Sequence, residues 1–287
     1  MGLNIQTNLE SLRAQRDLNA TTDRLRTSYA RLSSGLRITR AADDAAGLAI
    51  AEQLRADSRI AAVAIRNAND GVSIIAIADG AMNEITNVLT RMAELAEQSA
   101  NGVYSTAQRS ALASEFAALG SEVQRIAVTT EFNGLSLLNG ASEVSFQVGF
   151  NGSVNSQISY SGVAATLAAL GLANVGTANL LFSINDTTNV GAQVASRAAL
   201  EAVKVALTSL TRNRGALGAA ESRLSAAIAN IQVARENFIS AESRIRDVDV
   251  ASEAAELTRL NILQQAATAM VGQANQQPSL ALQLLQG

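Results

Sequence analysis

The 287-residue sequence has no cysteine, no histidine and no tryptophan, and a single proline, Pro278. Without cysteine there are no disulfides and no thiolate chemistry. Without histidine the commonest general acid–base and the commonest metal ligand are missing, and with them most zinc, copper and haem sites. Catalysis would have to run on carboxylates alone. No catalytic, cofactor-binding or metal-ligating residue is assigned, and the expectation is a chain without cofactor that is not an enzyme. With one proline, long helices can run almost uninterrupted. Aromatic residues make up only 3% against 48% hydrophobic. Such small and aliphatic side chains suit helix-on-helix packing better than a ligand cavity lined with rings. Lysine is nearly absent too: Lys204 is the only one among 22 basic residues. Arginine forks onto carboxylates and fits interface ion pairs better. The opening Met1-Gly2-Leu3-Asn4-Ile5-Gln6 lacks the basic, apolar and cleavage regions of a secretory signal. No run approaches the roughly 18 uninterrupted apolar residues of a membrane span.

Charge is unevenly spread. Residues 1–40 hold seven Arg against three acids, and residues 41–140 hold six Arg against twelve acids. Spread along helices, these read as salt-bridged solvent faces, so no nucleic-acid partner is expected.

What is abundant is heptad spacing. Leu18, Thr22, Leu25, Tyr29, Leu32 and Leu36 recur at steps of four and three, the seam of a coiled coil. A break follows near Thr39 to Asp44. A helix is then predicted from Ala45 to about Asn101, where Asn101-Gly102 is a stop signal, and another over about 106–128. Residues 141–190 carry only two charges, Glu143 and Asp186. There Val144, Phe146, Val148 and Phe150 alternate as in a strand, and Asn151-Gly152 suggests a tight hairpin turn. Ile158 and Tyr160 would return, and Leu180, Phe182 and Ile184 suggest a third strand. From Ala199 to Val248 fourteen of fifteen heptad positions are apolar, among them Leu217, Leu224, Ile231, Phe238 and Ile245. Asn213 is the lone polar member. That predicts one rod-like helix of roughly 75 Å. The last segment carries Leu260, Leu263, Ala267, Met270, Ala274 and Leu284. The expected fold is therefore mainly α: an elongated antiparallel helical bundle or coiled coil with a small β-hairpin region.

The two ends carry seams without a partner nearby in sequence. The economical solution pairs them with each other and with copies from other molecules. Amphipathic helices of this length are marginal alone. Both ends are therefore expected to be disordered in the monomer and to order on assembly. The carboxylate pairs Asp43-Asp44 and Asp247/Asp249 are expected to cap helices or form ion pairs, since sequence neighbours on a helix do not face each other.

Several stretches resemble bacterial flagellins. Ser33-Ser34-Gly35-Leu36-Arg37-Ile38 is similar to the family's SSGxRI element, and Asp43-Asp44-Ala45-Ala46-Gly47-Leu48-Ala49-Ile50 to its DDAAGxAI block. Arg66-Asn67-Ala68-Asn69-Asp70-Gly71, Glu94-Leu95-Ala96 with Gln98-Ser99-Ala100-Asn101-Gly102, and Phe132-Asn133-Gly134 with Leu137-Leu138-Asn139-Gly140 follow in the family's order. Ser243-Arg244-Ile245-Arg246-Asp247 and Ile262-Leu263-Gln264-Gln265-Ala266 complete the set near the C-terminus. The match covers roughly 1–140 and 195–287.

The resemblance implies a short flagellin with little or no outer variable domain: a secreted, extracellular structural subunit that polymerises into the flagellar filament for swimming motility. It implies export in unfolded form through the type III apparatus and assembly at the filament tip. Its partners would be other subunits, an export chaperone, the filament cap and hook-junction proteins. The implied organisation has residues 1–42 and 250–287 as inner-core helices pairing as a coaxial coiled coil in the filament. Residues 43–140 and 191–249 would be outer-core helices, with 141–190 as the short hairpin or variable region. Inner-core assembly would rest on Leu18, Leu25, Leu32, Leu36, Leu260, Leu263, Met270 and Leu284, and outer-core packing on Leu217, Leu224, Ile231, Phe238 and Ile245. In many flagellins a vertebrate Toll-like receptor recognises an Arg, a Leu and a Glu on the outer face. The resemblance places these at Arg91, Leu95 and Glu115, where an inter-subunit contact is the alternative use. A hook–filament junction protein, a carboxylate-dependent hydrolase and a basic-arm nucleic-acid binder are the competing classes.

Overall fold

The computed structural model describes residues 8–140, 143–160, 162–175, 177 and 179–286, with side chains described through Gln276. Among these residues there are five α-helices: α1 Leu9–Ser34, α2 Ala45–Ala100, α3 Thr106–Thr129, α4 Asn189–Arg246 and α5 Val250–Gln286. Two antiparallel hairpins lie between α3 and α4, one of β1 Glu131–Phe132 with β2 Leu135–Ser136, the other of β3 Val144–Gln147 with β4 Gln157–Tyr160. Contacts divide the chain into two compact units. One runs up to Ser58 and resumes at Glu236; the other is residues 59–235.

The 59–235 unit holds the main core. The predicted heptad of α4 is its spine: Ala199, Val203, Ala206, Leu210, Leu217, Ala220, Leu224 and Ile231 are all buried. They join Ile75, Met82, Ile85, Leu89, Met92 and Leu95 of α2 and Phe116 and Val123 of α3 in one continuous cluster. Asn213, the polar heptad member, is half-buried. Its neighbour Arg214 clasps α2, its Nε and Nη2 donating to the two carboxylate oxygens of Asp79 at 2.7 and 3.1 Å. One 18-residue window of α2 reaches a mean hydropathy of 1.3, apolar enough by composition to cross a membrane. In this fold the helix uses Met82, Ile85, Leu89 and Met92 to build the core.

Two β expectations need correction. Asn151-Gly152 is not a two-residue turn: β3 and β4 are joined by a longer loop with a 3-10 turn at Val154–Ser156. The tight hairpin turn is at Asn133-Gly134, where both residues have positive φ, 50° and 77°. That is the mirror-image turn favoured by the strand twist and by this dipeptide. Leu180, Phe182 and Ile184 form no strand. Only an isolated bridge joins Leu180 to Ala173, and the segment instead lies over α3, with Leu180 filling the space where Gly120 has no side chain.

Candidate functional site

The first unit is organised by two helix breaks. α1 ends at Gly35 in the left-handed conformation, φ 72°. The chain then turns through a loop held by one carboxylate, since Asp43 Oδ2 accepts from Thr39 N, Thr39 Oγ1 and Arg40 N at 2.9–3.0 Å. Those donors hold the Asp43 carboxyl below its ordinary pKa. Asp44 starts α2, accepting from Gly47 N at 2.9 Å. Gly47 leaves room for Ile38, which is buried. On the other side Asp249 starts α5 by accepting from Ala251 N and Ser252 N. The two breaks are bonded to each other: Arg37 N donates to Arg246 O at 2.6 Å and Val248 N to Gly35 O at 3.0 Å. The Arg37 guanidinium also reaches Ile245 O, and Arg246 reaches Glu52.

Beyond the breaks, α1 and α5 pair antiparallel. Arg31 faces Glu253, Gln264 donates to Thr22 Oγ1 at 3.4 Å, Ser11 donates to Asn275 Oδ1 at 2.6 Å, and Asn8 donates to Ala274 O at 2.7 Å. The seam is narrow and polar. On α1 only Ser11, Leu25 and Ser28 are buried, and on α5 only Leu260 among the described side chains. Leu18, Leu32 and Leu36 are half-buried. Tyr29 stands exposed while Ser28 takes the seam, its Oγ buried without a partner among the described residues. The heptad of α5 also differs from the predicted one. It runs through Leu260, Gln264, Ala267, Val271 and Ala274, so Leu263 and Met270 are not seam residues of this pair. Both point outward, 43% and 64% exposed, beside Ile262 at 61%. Leu9 and Leu12 of α1 are 54% and 53% exposed. Choosing the larger apolar side chains put the predicted stripe one step away from the one that Gln264 and Val271 occupy. Leu284 lies outside the described side chains, and Met1 to Gln6 outside the described residues.

Of the outer-core packing residues, Leu217, Leu224 and Ile231 lie in the core of the 59–235 unit. Phe238 and Ile245 belong to the other unit and are half-buried.

Of the surface triad, Arg91 and Glu115 come together. The Arg91 Nε and Nη2 donate to Glu115 Oε1 at 3.1 and 2.9 Å, with Glu94 at 3.0 Å from Nη1. These carboxylates hold the guanidinium pKa above its ordinary value. Leu95 does not join them: it is fully buried in the core, because it continues the α2 stripe of Leu89 and Met92. Of the three, only the Arg91–Glu115 ion pair stands at the surface.

One buried charge had no signal in the sequence. Arg109 is fully buried, donating from Nη1 to Asn189 O and from Nη2 to Asn101 O, both at 2.8 Å. It ties the C-terminal end of α2 to the first residue of α4. Nearby, Ser99 and Ser196 both donate to Ile184 O. Among the described residues no group of three acidic side chains is placed to hold a metal ion.

Comparison with known proteins adds sequence to this geometry. Residues 5–143 match a family model described as the bacterial flagellin N-terminal helical region, and residues 200–285 match the bacterial flagellin C-terminal helical region. The chain is 42% identical to a flagellin of Halalkalibacterium halodurans over 282 residues, covering 98% of this chain and 99% of that one. It is 37% identical to the flagellar filament 33 kDa core protein of Treponema phagedenis over 292 residues, with 98% and 99% covered. Among solved structures, Bacillus cereus flagellin aligns with 58% of this chain and 88% of its own, at a TM-score of 0.48 and 23% identity.

Proposed function

The chain belongs to the bacterial flagellin family, so it is a non-enzymatic structural subunit of the extracellular flagellar filament, and we propose that its polymerisation rests on the outward faces of α1 and α5. The observation that carries this is the mismatch between what the pair buries and what it leaves bare. Its internal seam is polar and thin, whereas Leu9, Leu12, Ile262, Leu263 and Met270 stand in solvent. Burying the exposed part of each, 43–64% of the residue, gains roughly 1 kcal/mol. Stacked copies supply that burial many times over. In this reading residues 1–42 and 250–287 form the inner core of the filament. Residues 43–140 and 191–249 form the layer around it, and 141–190 the short hairpin region. The subunit leaves the cell unfolded through the type III apparatus. An export chaperone, the filament cap and the hook-junction proteins are its partners on that route.

Removing residues 255–287 tests the assignment. The truncated protein keeps the helical signal of the 59–235 unit by circular dichroism. It gives no filaments by negative-stain microscopy after salting out, where the full chain does. Filaments from the truncated chain would contradict the proposal.

The ionic surface of Arg91 and Glu115 is the second element of the reading, as a contact for a vertebrate Toll-like receptor. Arg91→Ala with Glu115→Ala is expected to weaken receptor signalling by the monomer. Unchanged signalling removes this partner.

A further inference from the structure

Four asparagine–glycine pairs occur in the chain, at 101–102, 133–134, 139–140 and 151–152, and their surroundings differ. At such a pair the next backbone nitrogen can reach the side-chain carbonyl, because glycine has no Cβ to bar the approach. Asn133-Gly134 is fixed in a left-handed turn. Gly140 is pressed against Ala164. The Asn101 backbone oxygen accepts from Arg109 Nη2 at 2.8 Å, but its Oδ1 accepts one bond only, from Val103 N at 3.2 Å. At Asn151, by contrast, three donors converge on Oδ1: Ser153 N at 3.4 Å, Ser153 Oγ at 2.7 Å, and Ser156 Oγ. The backbone oxygen of the same residue accepts from Gln147 Nε2 at 2.7 Å. Ser156 is fixed by Ser156 N donating to Ser153 O and Val148 N donating to Ser156 O, both at 2.9 Å. It fits there because Gly149 carries no side chain. Around Gly152 there is open space, with nothing within 4 Å of a would-be Cβ.

We propose that Asn151–Gly152 is a self-modifying site, at which the folded loop promotes deamidation of its own asparagine. The Gln147 bond to Asn151 O draws electron density from the peptide unit that contains the Gly152 nitrogen and so acidifies its N–H. Hydroxide takes that proton, and the nitrogen attacks Asn151 Cγ. The carbonyl pair moves onto Oδ1, where the two serine hydroxyls and the Ser153 N–H stabilise the oxyanion as preorganised donors do. The C–N bond to the side-chain nitrogen then breaks, and that nitrogen leaves as ammonia with a proton from water. Water opens the resulting five-membered imide, giving aspartate or isoaspartate at 151. The net change is hydrolysis of one amide, with no oxidation or reduction. It places a carboxylate in a segment, 141–190, whose only charges are Glu143 and Asp186. Older subunits would carry a charge that new ones lack.

The test is to age the purified full-length protein at mildly alkaline pH, folded and in denaturant, and to follow each Asn-Gly pair by peptide mass spectrometry. In the folded protein Asn151 is expected to convert about tenfold faster than in the denatured chain, and faster than Asn101, Asn133 and Asn139. Ser153→Ala with Ser156→Ala is expected to bring it down to the denatured rate while leaving the other three unchanged. A folded rate at Asn151 equal to or below the denatured rate overturns the proposal, because the same bonds would then protect the asparagine. That comparison uses the unaltered protein and holds whether or not the double variant folds.

Discussion

At the scale of single residues, the family's motifs resolve into hydrogen bonds. Asp43 ties down three donors of one loop, and Asn275 and Gln264 bridge the end helices. Asp43 also sets a pH response. Its folded pKa lies below the ordinary value near 3.8, so its contribution to stability is complete above that value and is lost as pH falls through the folded pKa. Asp79, held down by Arg214, adds in the same direction. The chain has no histidine or cysteine, and no other side chain ordinarily titrates between about pH 5 and 8. The urea midpoint is therefore expected to be flat across that range and to fall only in acid, with a smaller acid loss in Asp43→Asn. A step near neutrality would contradict this. Arg109 belongs to the same scale. Arg109→Ala strips the Asn101 and Asn189 carbonyls of their shared donor and leaves a cavity where a buried side chain stood, an expected loss of about 2–4 kcal/mol in urea unfolding. Arg109→Met, which fills the space, is expected to lose less.

At the scale of elements, legibility followed periodicity. The α4 seam could be read because its apolar residues keep the four–three step, and every predicted position from Ala199 to Leu210 is buried. Leu217→Ala, at the middle of that seam, is expected to destabilise the 59–235 unit by about 2–4 kcal/mol in thermal or urea unfolding. The ends of the chain misled because their pattern serves two surfaces at once. α5 turns Gln264 and Val271, both half-buried, toward α1 and exposes Leu263 and Met270, so hydrophobicity alone selected a stripe other than the one that faces α1. Tyr29 and Ser28 exchange places on α1 for the same reason. Turn chemistry was legible as a dipeptide but not in its location. Asn133-Gly134 and Asn151-Gly152 are the same letters, and only the hydrogen-bonding surroundings make one a tight turn and the other part of a loop. Leu95 was assigned to a surface by resemblance, while its own position in the α2 stripe put it in the core. Arg109 had no signal at all, because a buried arginine bonded only to carbonyls leaves no pattern in the sequence.

At the scale of the whole molecule, the balance of buried and bare apolar surface separates the two units. The 59–235 unit closes its own core, as an independently stable domain does. The paired ends bury few large side chains and satisfy one another mainly through polar contacts, an arrangement whose missing burial further copies of the chain can supply. The most direct test replaces the outward residues while sparing the seam: Leu263→Asp together with Met270→Asp, examined by circular dichroism and by negative-stain electron microscopy after salting out. The account predicts an unchanged helical signal and no filaments. Filaments of ordinary length and abundance from this double variant would contradict it.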